Sequence, residues 1–536
     1  GPTWTRLRER IFRGGFGNNF PIGLNQQRFG SAGSNVDSKV VAHEDSKEKY
    51  QKRSRTAAQY NAYTALAKRQ TSNEFFCYLA FLSTHSFSRS TRKVNTVAES
   101  RHVIKLNRRQ LLVTATGAAL TLPGCTSRPE ADSQPTASRS DVPIRIAMVG
   151  TSEEADIVSR SWSSIDEQTL AITTIPLPRG DAERQAMDRL IAETGKSDLV
   201  IYPLLAVPEM VHAEAIVPIS EEQFDAMQAE TGELYSAVRN GAARYADEFV
   251  AMPMGANQPA LLSTAEVPPL SSWDDYDRWV SKDLNGKASE PLAAGWAASM
   301  FLWRAASTIS RGWLFSRNDL TPTLNEEAYV DALQQMIKTA AHYPAARQSP
   351  TEIWSSIQSG ELMGGIGFAK NNSTDESEVS VSNLPGTDDK NRLLLDPYSP
   401  VISLSAMCRQ SAVSKRLMDW ISGGDGSEAI RRQITGVTTT RAMVQSEIAA
   451  EPRRQSAYES WLTQRLRTPV TLPPLQLFSA GEYYSVLDSA VIEAIEGKTE
   501  AKSALDRVAK QWDAITERVG REKQLSAWRR AQGLRA

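Results

Sequence analysis

From Pro143 onward, short apolar runs alternate with amphipathic stretches, and this alternation is what most narrows the folds open to the chain. Pro143–Gly150 (PIRIAMVG) reads as a strand, Ser152–Ile165 as a helix and Leu170–Leu177 as a second strand. Asp181–Thr194 reads as a second helix, with Ala186, Met187, Leu190 and Ile191 on one face, and Asp198–Leu205 as a third strand. Such units predict a mainly parallel sheet covered by helices, an α/β fold. Ser152 is placed to cap the first helix, whose positive end suits Glu153 and Glu154. Ligands of open α/β sheets bind where strand C-termini pass into loops. That rule singles out Thr151, Ser152 and Glu153 after the first strand, and Tyr202 with Pro203 at the end of the third.

The region before this alternation has the opposite character. Up to Cys125 lie 20 of the 61 Lys and Arg but 7 of the 62 Asp and Glu, so a leader of net charge +13 precedes a body of −14. An acidic body argues against a nucleic-acid partner, because phosphate binding needs concentrated Lys and Arg. Residues 1–106 lack sustained periodicity, and the first methionine of the chain is Met148; a non-native or disordered upstream segment is expected there. In Asn107–Cys125 (NRRQLLVTATGAALTLPGC), Arg108 and Arg109 precede an uncharged run that ends in Leu122-Pro123-Gly124-Cys125. Positive, then apolar, then small residues is the logic of an export signal. The run falls well short of the roughly 20 residues that span a bilayer as a helix. Its end resembles the bacterial lipobox, which implies that Cys125 is acylated and anchors the mature chain to a membrane. Arg108-Arg109-Gln110-Leu111-Leu112 is similar to a twin-arginine signal. Residues 126–142, rich in Ser, Thr, Pro and charge, read as a flexible tether. With Cys77 in the leader and Cys125 given to lipid, Cys408 has no intrachain disulfide partner, so the body must be stabilised by core burial. Its length predicts two lobes.

Further motifs then follow in a fixed order. They are VPEMVHAEAIVPIS with Val217-Pro218-Ile219, Val250-Ala251-Met252-Pro253, Ser272-Trp273-Asp274-Asp275-Tyr276, and Ile353–Glu361 before Leu362–Phe368. Leu384-Pro385-Gly386, Thr435–Arg441 and Val486–Asp513 complete the series. Over residues 143–520 this succession resembles the extracellular solute-binding proteins of ABC importers, in particular the maltose-binding-protein-like carbohydrate group. One departure is Thr438-Thr439-Thr440, where the family commonly has proline. The resemblance implies a two-lobed periplasmic-binding-protein fold of type II. Residues 143–258 with 398–440 would form lobe one, 264–397 with 441–536 would form lobe two, and a hinge would join them around a ligand cleft. It further implies a small-molecule solute, ABC permease subunits as partners, and a periplasmic or cell-surface location.

Tryptophan is abundant, with twelve in the chain and eleven in the body. Sugars pack their C–H faces on aromatic rings while their hydroxyls bond to polar side chains, so a carbohydrate is the expected solute. Trp296, at the start of a lobe-two helix, is the first stacking candidate; Trp303 lies seven residues on, on the same helical face, and suits the core as well. Phe368 ends a strand and is a second candidate. Met254 and Asn257, just after the crossing strand, and Tyr483 complete the candidate contacts. Tyr483-Tyr484 reads either as a stacking pair or as metal ligands, but only His212 and His342 remain in the body to support a metal, so neither a metal nor a cofactor is expected. Glu153-Glu154 and Asp274-Asp275 are adjacent on helices and point about 100° apart, which suits caps better than acid/base pairs. No GxSxG, HExxH, P-loop or CxxC is present. A non-enzymatic solute-binding lipoprotein is therefore the expectation. A secreted glycan-active enzyme and a sensing or scaffolding lipoprotein of the same fold are the alternatives.

Overall fold

The computed structural model describes residues 142–180, 184–309, 312–369, 379–386, 392–423, 426–442, 456–468 and 471–534. The chain divides into the units Gly1–Ser127 and Arg128–Ala536, and every described residue belongs to the second. The export signal, Cys125 and most of the tether lie outside the described residues. In chain order the elements that matter here are β1 Ile144–Val149, α1 Ser152–Ser163, β2 Leu170–Ile175, α2 Arg184–Thr194, β3 Leu199–Pro203, β4 Met252–Pro253, β5 Ala260–Ser263, β6 Ala288–Ser289, α3 Ala297–Thr308, β7 Gly364–Gly367, β8 Ser380–Ser382, β9 Pro400–Leu404, α4 Ser411–Ser422, α5 Ala480–Ile495 and α6 Ala501–Val519.

Two sheets organise them. The first has the order β2-β1-β3-β9-β4, with β1 parallel to β2 and β3, and β9 antiparallel to both β3 and β4. Side chains on strands alternate between faces, and here both faces are covered. Ile144, Ile146, Met148, Leu199 and Ile201 enter one core with Val158, Trp162 and Leu417, while Ala147, Val200 and Tyr202 enter the other. The near-continuous apolar runs of β1 and β3 follow from that double burial. The second sheet has the order β8-β5-β7-β6 and consists of residues between 260 and 382. The Gly364-Gly365-Ile366-Gly367 cluster is its strand β7.

The chain passes between the sheets through Met254–Pro259 and again through Leu395–Ser399, both beside the C-terminal end of β3. The turn after Ile434 braces the first crossing: Thr438 Oγ1 accepts from the Ala256 amide at 2.9 Å, and the Thr440 hydroxyl reaches the Pro253 carbonyl at 3.3 Å. The hydroxyls of these threonines hold the turn against the crossing.

At the start of α1 the cap is Thr151, not Ser152. Its hydroxyl accepts from the Glu154 amide, and the Glu154 carboxylate accepts from the Thr151 amide, closing a capping box. The glutamate three residues after Thr151 decides the position.

Candidate functional site

The seam between the two sheets is built around one side chain that reaches across it. Beyond β2, the loop 176–180 carries Arg179 to the residues that precede and open α3. Its guanidinium lies 3.5 Å from the centre of the Trp296 ring and 4.2 Å from that of Tyr398. It donates to Ser299 Oγ at 3.3 Å and forms an ion pair with Asp396, and both members of that pair are largely buried. The planar cation is thus stacked against two aromatic rings, with a carboxylate at its edge.

The backbone is shaped for this approach. Gly180 and Gly295 both adopt left-handed conformations, with φ of +79° and +80°. A Cβ on Gly180 would stand 2.9 Å from Gly295 Cα, and one on Gly295 would stand 2.5 Å from the Arg179 carbonyl oxygen, so the two segments touch backbone to backbone. The Gly180 amide also donates to the Tyr398 hydroxyl at 2.9 Å.

Trp296 occupies the N-cap position of α3, where its side chain cannot accept from the free amides. Asp488 of α5 does so instead, accepting from Gly295 and Ala298 at 2.9 and 3.0 Å. Burial pushes the Asp488 carboxyl upward, while those amides and Arg179 pull it back. The Trp296 ring is half-buried, edge-on to Phe368 at 5.5 Å and tilted against Trp303 at 6.5 Å. Below it, Glu290 and Arg304 form a bidentate ion pair in the core, which fixes α3 to the segment that leads into it.

Beside the arginine is a cavity of about 350 Å³ whose wall includes Tyr398. Leu177, Met187, Leu205 and Glu209 line it from the side of the first sheet, joined by Phe478 and Ser479 just before α5 and by Lys523 beyond α6. A separate cavity of about 900 Å³ is lined by Arg244, Arg317, Arg392, Arg530 and Trp313, and shares no lining residue with the first.

The structure separates the sequence-derived contacts. Trp296 and Phe368 come together, joined by Trp303, whose indole N–H is bound to the Leu394 carbonyl at 3.2 Å. Thr151, Ser152 and Glu153 are exposed on the first turn of α1 and its cap. Tyr202 is buried in a central strand with its hydroxyl paired to Ser403 at 2.9 Å, and Met254 is in the core below the first sheet. Asn257 is buried on the crossing segment, and its Oδ1 has no hydrogen-bond partner among the described residues. Tyr483 is fully buried among Phe315 and Trp512, its hydroxyl within 2.9 Å of Thr516 Oγ1. Tyr202, Met254 and Tyr483 are thus enclosed in the packing, whereas Trp296 stands against Arg179. Sequence reasoning missed Arg179, Asp396 and Tyr398. The strand-end rule pointed to the Arg179 loop as much as to Thr151, but nothing local in the sequence brings Asp396 and Tyr398 to it.

No protein-family model matches the sequence, and no curated protein sequence matches it. Solved structures do. The maltose-bound MalE3 protein of T. maritima is similar with a TM-score of 0.54 at 15% identity, over 70% of this chain and 99% of that one. An ABC transporter solute-binding protein from Agrobacterium vitis with bound D-mannitol is similar with a TM-score of 0.51 at 13% identity, over the same 70% and 99%. The chain has the two-lobed α/β fold of type II periplasmic binding proteins. The particular proteins it is similar to are these sugar- and polyol-bound members of that fold.

Proposed function

We propose that this chain is an extracytoplasmic solute-binding protein that captures a small solute, a carbohydrate, between its lobes and delivers it to the permease subunits of an ABC importer. Residues 143–258 with 398–440 act as lobe one and 264–397 with 441–536 as lobe two, closing over the solute by hinge motion. Acylation at Cys125 holds the protein on the membrane in the periplasm or at the cell surface, with residues 126–142 as its tether.

One observation carries this reading. At the seam, a half-buried tryptophan face stands beside a buried carboxylate, Ser299 and a tyrosine. With Arg179 withdrawn, that set offers a flat apolar platform with hydrogen-bonding groups at its rim, as a pyranose or polyol requires. The maltose and D-mannitol bound to the two similar structures agree with it. Trp296 is the platform, Phe368 backs it, and Asn257 offers a buried acceptor on the crossing segment.

The experiment is a thermal-shift screen of neutral mono- and oligosaccharides and polyols, beginning with maltose and D-mannitol. A ligand at 100 times its dissociation constant stabilises the native state by about 2.7 kcal/mol, a readily measured rise. A full panel without a saturable shift counts against a carbohydrate solute, and turnover of an oligosaccharide counts against a purely binding role.

A further inference from the structure

The seam proposed as the solute cleft is already filled, and what fills it has the form of a ligand. Arg179 presents a planar cation to Trp296 and Tyr398, bonds Ser299, and pairs with Asp396. A cation paired with a largely buried carboxylate in a site walled by aromatic rings is the chemistry of a cation cage. The arginine comes from the C-terminal end of a parallel strand, where folds of this class hold their ligands. Its loop enters through paired left-handed glycines that leave no room for any side chain between the segments.

We propose that Trp296, Tyr398, Ser299 and Asp396 form a guanidinium-selective box, that Arg179 is its tethered occupant, and that a solute enters the cleft by displacing this side chain. A neutral solute that ejects Arg179 leaves the largely buried Asp396 without a cation, which is unfavourable. A solute bearing a guanidinium or ammonium group restores the pair. Cationic solutes, amino sugars among them, are therefore the class the box favours. This rests on reading the seam as the solute cleft.

The test uses the full chain and free methylguanidinium as the probe. In Arg179→Ala, amide exchange across 295–299 and 396–399 speeds up by roughly 10-fold, the loss expected for one desolvated cation–π contact and its ion pair. Methylguanidinium reverses that change saturably and raises the melting midpoint of the variant, while wild type, whose box is occupied, does not respond. Guanidinium at the same ionic strength competes, and sodium does not. Should Arg179→Ala fail to fold, Arg179→Met keeps the length of the stem, removes the guanidinium and is expected to respond in the same way. No saturable response in either variant, or an equal response in wild type, overturns the proposal. The two readings fail separately. Rescue by methylguanidinium with no response to neutral or amino sugars supports the box and removes the carbohydrate assignment. Equal maltose binding by wild type and variant with no rescue removes the tethered occupant and leaves the cleft.

Discussion

The platform helix stands on a buried charge pair, and its removal has a calculable effect. Arg304 and Glu290 have side-chain exposures of 1% and 0%, with Nε to Oε2 at 3.1 Å and a second bond between Nη2 and Oε1. Tyr343 donates to the same Oε1 at 2.5 Å, and the guanidinium lies 4.0 Å over the Trp273 ring. In Arg304→Met the Glu290 carboxylate keeps Tyr343 but loses the cation paired with it, which leaves an uncompensated buried charge. Such a loss costs about 3–5 kcal/mol, whereas replacing both partners by apolar groups is often near neutral. Arg304→Met alone should therefore lower the melting midpoint by about 5 °C, at roughly 1 °C per kcal/mol for a body of this length, and Arg304→Met with Glu290→Leu should recover more than half of that. Urea unfolding of the wild type, both single variants and the double variant gives the coupling energy, expected to exceed about 2 kcal/mol. A single variant within about 0.5 kcal/mol of wild type, or simple additivity, would refute the reasoning.

Other consequences are smaller or more distant. Burial pushes the Asp419 carboxyl up to about 6 although Arg441 and Lys415 lie near it. Its folded pKa lies above the free value of 3.8, so the native state holds the proton between those values and stability from this group falls as pH rises through that window. Asp419→Asn should thus match wild type near pH 4 and exceed it at pH 7.5 by about 1 kcal/mol after allowance for solvent screening, as read by chemical unfolding at both pH values. Thr151→Ala removes half of the capping box and should cost about 1 kcal/mol in the same assay, while Ser152→Ala should cost little. Cys125→Ala should leave the body folded but release it from membranes in fractionation, because stable anchoring needs more than one acyl chain's worth of burial; a folded variant that still pellets with membranes would reject acylation at that residue.

Much of the fold could be read locally because its signals are local. β1, α1, β2 and β3 fall within the predicted segments and lose one or two residues at one or both ends, and the described part of α2 lies within its predicted segment, since apolar periodicity fixes existence better than boundaries. The cap shifted from Ser152 to Thr151 because the Glu154 side chain also matters, and only its reach back to the Thr151 amide makes the box. The site was less legible. Tyr202 satisfies the strand-end rule, but β9 pairs along the whole of β3 and buries it, a long-range fact absent from the local pattern. Tyr483 lies on α5, which packs against both α6 and α3, so its ring is enclosed. Trp296 stood out because helical spacing paired it with Trp303, and of the two Trp303 is buried while Trp296 keeps a partly open face. Arg179 had no periodicity to mark it. Its partners Asp396 and Tyr398 are more than 200 positions away, and only folding brings them together.

The central claim, a solute held against Trp296 between the lobes, is tested most directly by measuring affinity and unfolding midpoint together in Trp296→Ala. The ring is half-buried, so its loss should cost part of the 3–5 kcal/mol of a fully enclosed aromatic, about 2 kcal/mol, and leave the protein folded. Calorimetric titration with the solute that gives the largest thermal shift should show affinity weakened by roughly 1–3 kcal/mol, the scale of one large apolar contact. Unchanged affinity in a variant whose midpoint has collapsed would place Trp296 in the core alone and contradict the account.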